Sequence, residues 1–148
     1  MGEQRLRRTD VHHGPAAARV LACQRAGDAH AAGPDADLEG APWPLPGERF
    51  DAVLVTHYLW RPLWTDLLAS LAIGGVLIYE TFALGNESVG KPSNPAFLLR
   101  PGELLQAAQG LRVLGYEDGF HAAPERFVQR LCAVREAPTS GVAARYPL

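Results

Sequence analysis

Cysteine, positive charge and long apolar runs are all scarce in this chain. Only two cysteines occur in 148 residues, Cys23 and Cys132, far apart and outside any CxxC spacing. That excludes a disulfide scaffold and the common zinc-ribbon or dithiol redox motifs, and the expected setting is reducing and cytoplasmic. The formal net charge is −2, with no basic stripe, so a nucleic-acid surface is not indicated. No apolar run approaches the length of a membrane span. Arg5, Arg7 and Arg8 have no long apolar stretch behind them, so a secretory signal is not expected, and Glu3 and Asp10 count mildly against a transit peptide. The length suits one domain around one core.

Aromatic residues are missing altogether from positions 1–34, which hold only four branched aliphatics, Leu6, Val11, Val20 and Leu21. So little apolar surface cannot easily offset the entropy of ordering the chain. Residues 1–34 therefore read as an atypical segment, disordered or out of frame. Within it, 16–25 reads as a short helix or 19–23 as a weak strand. His12, His13 and His30 share no strand or helix face and have no Cys or acidic companions, so no metal site is expected. From 35 to 49 the prolines Pro42, Pro44 and Pro46 with Gly47 make a loop, anchored by Trp43 and Leu45.

Regular structure begins at Phe50. Asp51–Val55 is apolar toward both faces, as in a buried parallel strand. Leu63, Leu67, Leu68 and Leu71 fall at helical spacing after Pro62. Gly74-Gly75 is expected to end that helix before a second strand, Val76–Glu80. Residues 82–99 are a long polar loop, in which Asn86, Lys91 and Asn94 read as mobile. Pro101 suits the first position of a helix, with Glu103 in its first turn and Gly110 as its stop. Leu111–Tyr116 and Phe127–Val134 read as strands of a hairpin, with Cys132 in the core, and 136–148 as a loose tail.

With those pieces in order, residues 35–135 resemble the C-terminal half of a class I S-adenosylmethionine-dependent methyltransferase. Several segments carry the resemblance: Asp37-Leu38 ahead of Phe50-Asp51; Val55-Thr56-His57-Tyr58-Leu59 at the end of a fourth strand; and the Leu71-Ala72-Ile73-Gly74-Gly75 turn into a fifth strand ending Glu80-Thr81-Phe82. Leu99, Pro101, Gly102, Glu103 and Leu104 follow, and then the closing hairpin. The subgroup it resembles is the small bacterial methyltransferases that include tellurite-resistance-type proteins. The resemblance implies an α/β fold: a three-layer Rossmann-like sheet, incomplete at its N-terminus, with a C-terminal antiparallel β-hairpin. It implies S-adenosylmethionine as cofactor and a small molecule as methyl acceptor. It places Asp37 and Leu38 at the adenine, Thr56, His57, Tyr58 and Leu59 along the cofactor, and Glu80, Thr81, Phe82 and Asn86 toward the substrate. His57 and Glu80 are the candidate bases, needed only if the acceptor must lose a proton.

One element of that family is missing. Its cofactor is held by a Gly-rich turn of the form [DE]xGxGxG after the first strand, whereas Gly2, Gly14, Gly27 and Gly33 stand singly here. The expectation is a truncated or frame-disrupted methyltransferase that binds its cofactor feebly. The rival expectation is a non-catalytic remnant that associates with itself or a partner through the bare edge of the fourth strand.

Overall fold

A computed structural model describes residues 7–11, 19–24, 38–138 and 141–147, with side chains from Leu38 onward. Asp37, His12, His13 and His30 lie outside the described residues. Six strands form one mixed sheet: β1 (Arg7–Val11), β2 (Arg19–Gln24), β3 (Phe50–Thr56), β4 (Leu71–Phe82), β5 (Arg112–Ala122) and β6 (Glu125–Val134). Their spatial order is β1-β2-β3-β4-β6-β5. β3 and β4 are parallel; every other neighbouring pair is antiparallel. The chain is thus α/β, and rich in strand.

β3 is the sequence's clearest apolar run, and Phe50, Val53 and Val55 are fully covered. The β3–β4 connection runs through a short 3-10 turn, Arg61–Leu63, and the helix α1 (Trp64–Ala69). Pro62 suits the start of that turn, and Leu63 and Leu67 face the core. A second short helix, α2 (Glu103–Ala107), precedes β5. Trp64, Leu67 and Leu68 of the first helical segment and Leu104, Ala107 and Ala108 of the second line one small apolar crevice with Leu77, Tyr79 and Leu131. Both helices therefore cover the same face of the sheet. Among the described residues the opposite face carries no helix.

Several boundaries differ from expectation. Gly74-Gly75 does not end α1. The helix stops at Ser70, whose N–H bonds Asp66 and whose Oγ donates to the Leu67 carbonyl at 2.7 Å. The glycines sit inside β4 instead, where the register jumps from Phe50↔Leu71 to Ala52↔Val76. Gly74 takes φ +79 to make that bulge, and its N–H bonds the Arg135 carbonyl. A Cβ on Gly75 would stand 2.7 Å from the carbonyl oxygens of both Ala72 and Phe50. Backbone cannot swing aside, so Gly75→Ala is expected to cost about 1–3 kcal/mol in a urea melt. An unchanged midpoint would show that this bulge relaxes freely. Pro101 lies before α2, not in it, because Gly102 at φ +71 is the N-cap.

The atypical N-terminal segment also departs from expectation: 7–11 and 19–24 are sheet strands, the latter resolving the helix-or-strand alternative. β2 pairs along β3 from Cys23↔Ala52 to Arg19↔Thr56. The edge of β3 expected to be bare is covered. The 82–99 loop is tied down. Leu98 and Leu99 are fully buried, and Leu99 exchanges backbone bonds with Phe82 and Leu84. The hairpin strands run well past the expected turn, to Ala122 and Glu125. Cys132 is half-buried rather than core. Tyr146 in the tail donates to Glu136 Oε1 at 3.1 Å.

Candidate functional site

The parallel pair β3–β4 sets the site. Thr56 is paired with Glu80, Glu80 with Arg130, and Arg130 with Glu117, so one register row crosses four adjacent strands. Cross-strand partners share a face, and here it is the face opposite α1 and α2. The row is polar and locked. Arg130 donates Nε–H to Glu80 Oε2 at 2.6 Å and Nη1–H to Glu117 Oε2 at 3.0 Å.

His57 follows Thr56 with φ 53, the one non-glycine left-handed residue among those described. Histidine tolerates this region better than most, yet such a placement costs free energy and recurs at functional sites. The turn is held by the His57 N–H bond to the Glu80 carbonyl at 2.8 Å. It lays the imidazole on the Phe82 ring, centroids 5.0 Å apart and planes 28° from parallel. It also brings His57 Nε2 to 3.5 Å from Glu80 Oε1. Both side chains stay about one-quarter exposed.

Glu80 is surrounded by cations. Partial burial pushes its carboxyl up, but the hydrogen bond and charge of Arg130, then the charges of Arg126 and His57, outweigh this and hold it below the usual range. A carboxylate so stabilised is a weak proton acceptor. Of the two candidate bases, His57 is the one whose ring nitrogen stays within reach of a ligand. Glu80 instead orients that ring.

The other expected site residues divide. Phe82 and Thr56 stand with His57 at the strand ends. Leu38, Tyr58 and Leu59 are buried in the core, so a ligand meets their backbone at most. The Tyr58 carbonyl accepts from Tyr79 Oη at 2.7 Å. Thr81 is fully buried and, by alternation, faces the helices. Asn86 is neither mobile nor open to substrate: its Nδ2 donates to the Pro92 carbonyl at 3.1 Å and its Oδ1 accepts from Phe127 N at 3.2 Å. Lys91 donates to Ser93, and Asn94 caps Ala96.

Arg126 and Arg130 were missed by the sequence reading. Their spacing in Arg126-Phe127-Val128-Gln129-Arg130 puts both on one strand face, which is the signal that could have found them. Among the described residues no group of three His, Cys, Asp or Glu stands close enough to hold a metal ion. None of the described helices is long and apolar enough to cross a membrane. No protein-family model matches this chain, and no curated protein does.

Proposed function

We propose that this chain carries the acceptor side of an S-adenosylmethionine-dependent methyl-transfer site acting on a small molecule, within a sheet of the Rossmann-like, three-layer type. One observation carries the reading. Of two parallel, adjacent strands, β3 ends at Thr56-His57 and β4 carries Glu80 two residues before its end at Phe82, and the backbone is bent left-handed at His57 to bring the two side chains together. Ligands of open α/β sheets bind beyond the carboxyl ends of such strands. The parallel pair joined through a helix and the closing hairpin agree with the resemblance of 35–135.

The residues fit one wall of such a site. Bound there, the cofactor would present a sulfonium methyl group. This chain's own groups would stack a flat acceptor against His57 and Phe82, take a proton at His57 Nδ1, the nitrogen turned away from Glu80, and keep that ring oriented through Nε2 facing Glu80. A Gly-rich cradle for the methionine end is absent from the 148 residues. Affinity for S-adenosylmethionine is therefore expected in the millimolar range, about −4 kcal/mol or weaker. Saturation-transfer NMR reads binding of that strength. It should show transfer to the sulfonium methyl and adenine protons, reduced in His57→Ala. No transfer at millimolar cofactor contradicts the methyl-transfer reading, and micromolar affinity contradicts the one-wall description.

A non-catalytic, self-associating module is the second reading, favoured by one feature. On the helix-free face Ile78 is 46% exposed in mid-strand, directly opposite Leu54 and Cys132. Association would use this face rather than the β3 edge, which β2 covers. Sedimentation should then show a dimer that Ile78→Lys dissociates; a monomer at all concentrations removes this reading.

A further inference from the structure

The arginines beside Glu80 are unequal, and the inequality indicates what the site takes. Arg130 is fully used, pinned between Glu80 and Glu117 at 2.6 and 3.0 Å. Arg126 is not. Its nearest approach to a carboxylate is Nη1 to Glu80 Oε1 at 3.7 Å, too long for a hydrogen bond. Its Nε–H is shut away from solvent and has no partner among the described residues. Its side chain is 22% exposed, so the guanidinium tip still reaches solution. His57 Nε2 points at the same Glu80 oxygen from 3.5 Å, again short of a bond.

Two groups able to donate thus crowd one carboxylate oxygen that satisfies neither. Glu80 already gives its other oxygen to Arg130. A guanidinium is always charged and forms a planar fork matched to carboxylate or phosphate oxygens. A cation held with idle N–H groups beside a half-buried aromatic stack suits an anionic ligand with a flat ring. The stack is the His57–Phe82 pair, whose flat surface adjoins the same carboxylate.

We infer that this site takes a flat small molecule bearing an oxyanion, carboxylate or phosphate, which Arg126 binds while the ring lies against His57 and Phe82. The inference rests on the strand-end site proposed above and names the class of its acceptor. Glu80 would keep Arg126 and His57 facing the ligand without competing for it, its own strong bond being to Arg130.

The test follows backbone amides by NMR during titration with benzoate, phenyl phosphate, benzamide and benzylamine. Benzoate, phenyl phosphate or both should shift the amides of Arg126, His57 and Phe82, and which of them does so identifies the anion. Benzamide, the neutral isostere, and benzylamine should bind at least about tenfold more weakly. Arg126→Gln should weaken the anion about tenfold, and Arg126→Lys less, both spectra otherwise remaining folded. Equal binding of benzamide, or an Arg126→Gln variant with unchanged affinity, overturns the inference. If either variant unfolds, loss of wild-type benzoate binding on raising salt replaces it as the readout, and salt-independent binding overturns the inference. Titration with S-adenosylmethionine alone keeps the two readings apart. Anion binding without a cofactor effect sinks methyl transfer and leaves the anion site; the reverse sinks only the anion site.

Discussion

Replacing Glu103 by alanine should destabilise the fold by about 2–4 kcal/mol, because it removes both bonds to a half-buried Arg61 and the acceptor of the Arg100 N–H. Glu103 has a side chain only 5% exposed and accepts from Arg61 through both oxygens, at 2.6 and 3.0 Å. It also accepts from the Arg100 N–H at 2.7 Å. The same Arg61 donates to the carbonyls of Ala96 and Leu98. One guanidinium therefore joins the segment entering α1, the long 82–99 loop and the start of α2. Burial alone would raise the Glu103 carboxyl, but the Arg61 and Arg100 hydrogen bonds outweigh it and bring the value down to about 2. A carboxyl depressed on folding contributes stability that is complete above its ordinary value near 4.5 and is lost as pH falls toward about 2. Glu80, also depressed, adds to the loss in the same direction. Urea midpoints measured from pH 7 down to pH 2 should fall in the wild type and fall less steeply in Glu103→Gln. Parallel curves would show that the latch is not what titrates.

Gln129→Leu should cost about 1–3 kcal/mol, although it puts an apolar residue of similar size in the core. Gln129 is wholly buried in mid-strand. Its Oε1 accepts from Leu104 N at 3.0 Å and its Nε2 donates to the Arg100 carbonyl at 2.7 Å. Leucine would leave the buried Leu104 N–H without its partner, at about 1–3 kcal/mol, whereas the Arg100 carbonyl keeps its bond from the Glu103 N–H. Amide exchange gives a local check. The Leu104 N–H should exchange faster in the variant than global destabilisation explains. An unchanged Leu104 relative to its neighbours would mean that α2 finds another anchor.

What could be read along the chain is what neighbouring residues impose on each other. The apolar run of β3 and the leucine spacing of α1 act within a few residues, and both elements formed close to where they were expected. Distant partners decided the remainder. β1 and β2 have too few apolar residues to announce themselves, and they become strands because β3 offers an edge. Gly74-Gly75 looked like a helix stop because a left-handed glycine serves equally in a bulge. The polar stretch 117–122 is strand because it is paired with β6, without being buried.

The site divides in the same way. His57 and Glu80 could be singled out from the local sequence, although β4 runs two residues past Glu80 to Phe82. Arg130, 50 residues beyond Glu80, needed the register of β4 on β6. The Arg61–Glu103 pair spans 42 residues and the Asn86–Phe127 bond 41. That is why Asn86 read as a mobile loop residue rather than the loop's anchor.

The ends of β3 and β4 are proposed as one wall of a methyl-transfer site. Amide-resolved titration with S-adenosylmethionine tests it most directly. The claim predicts progressive shifts at Thr56, His57, Tyr58 and Glu80, with a midpoint near about 1 mM and little movement around Ile78 or the β5–β6 tip. No shift at these amides up to about 10 mM, or shifts centred elsewhere on the sheet, would contradict it.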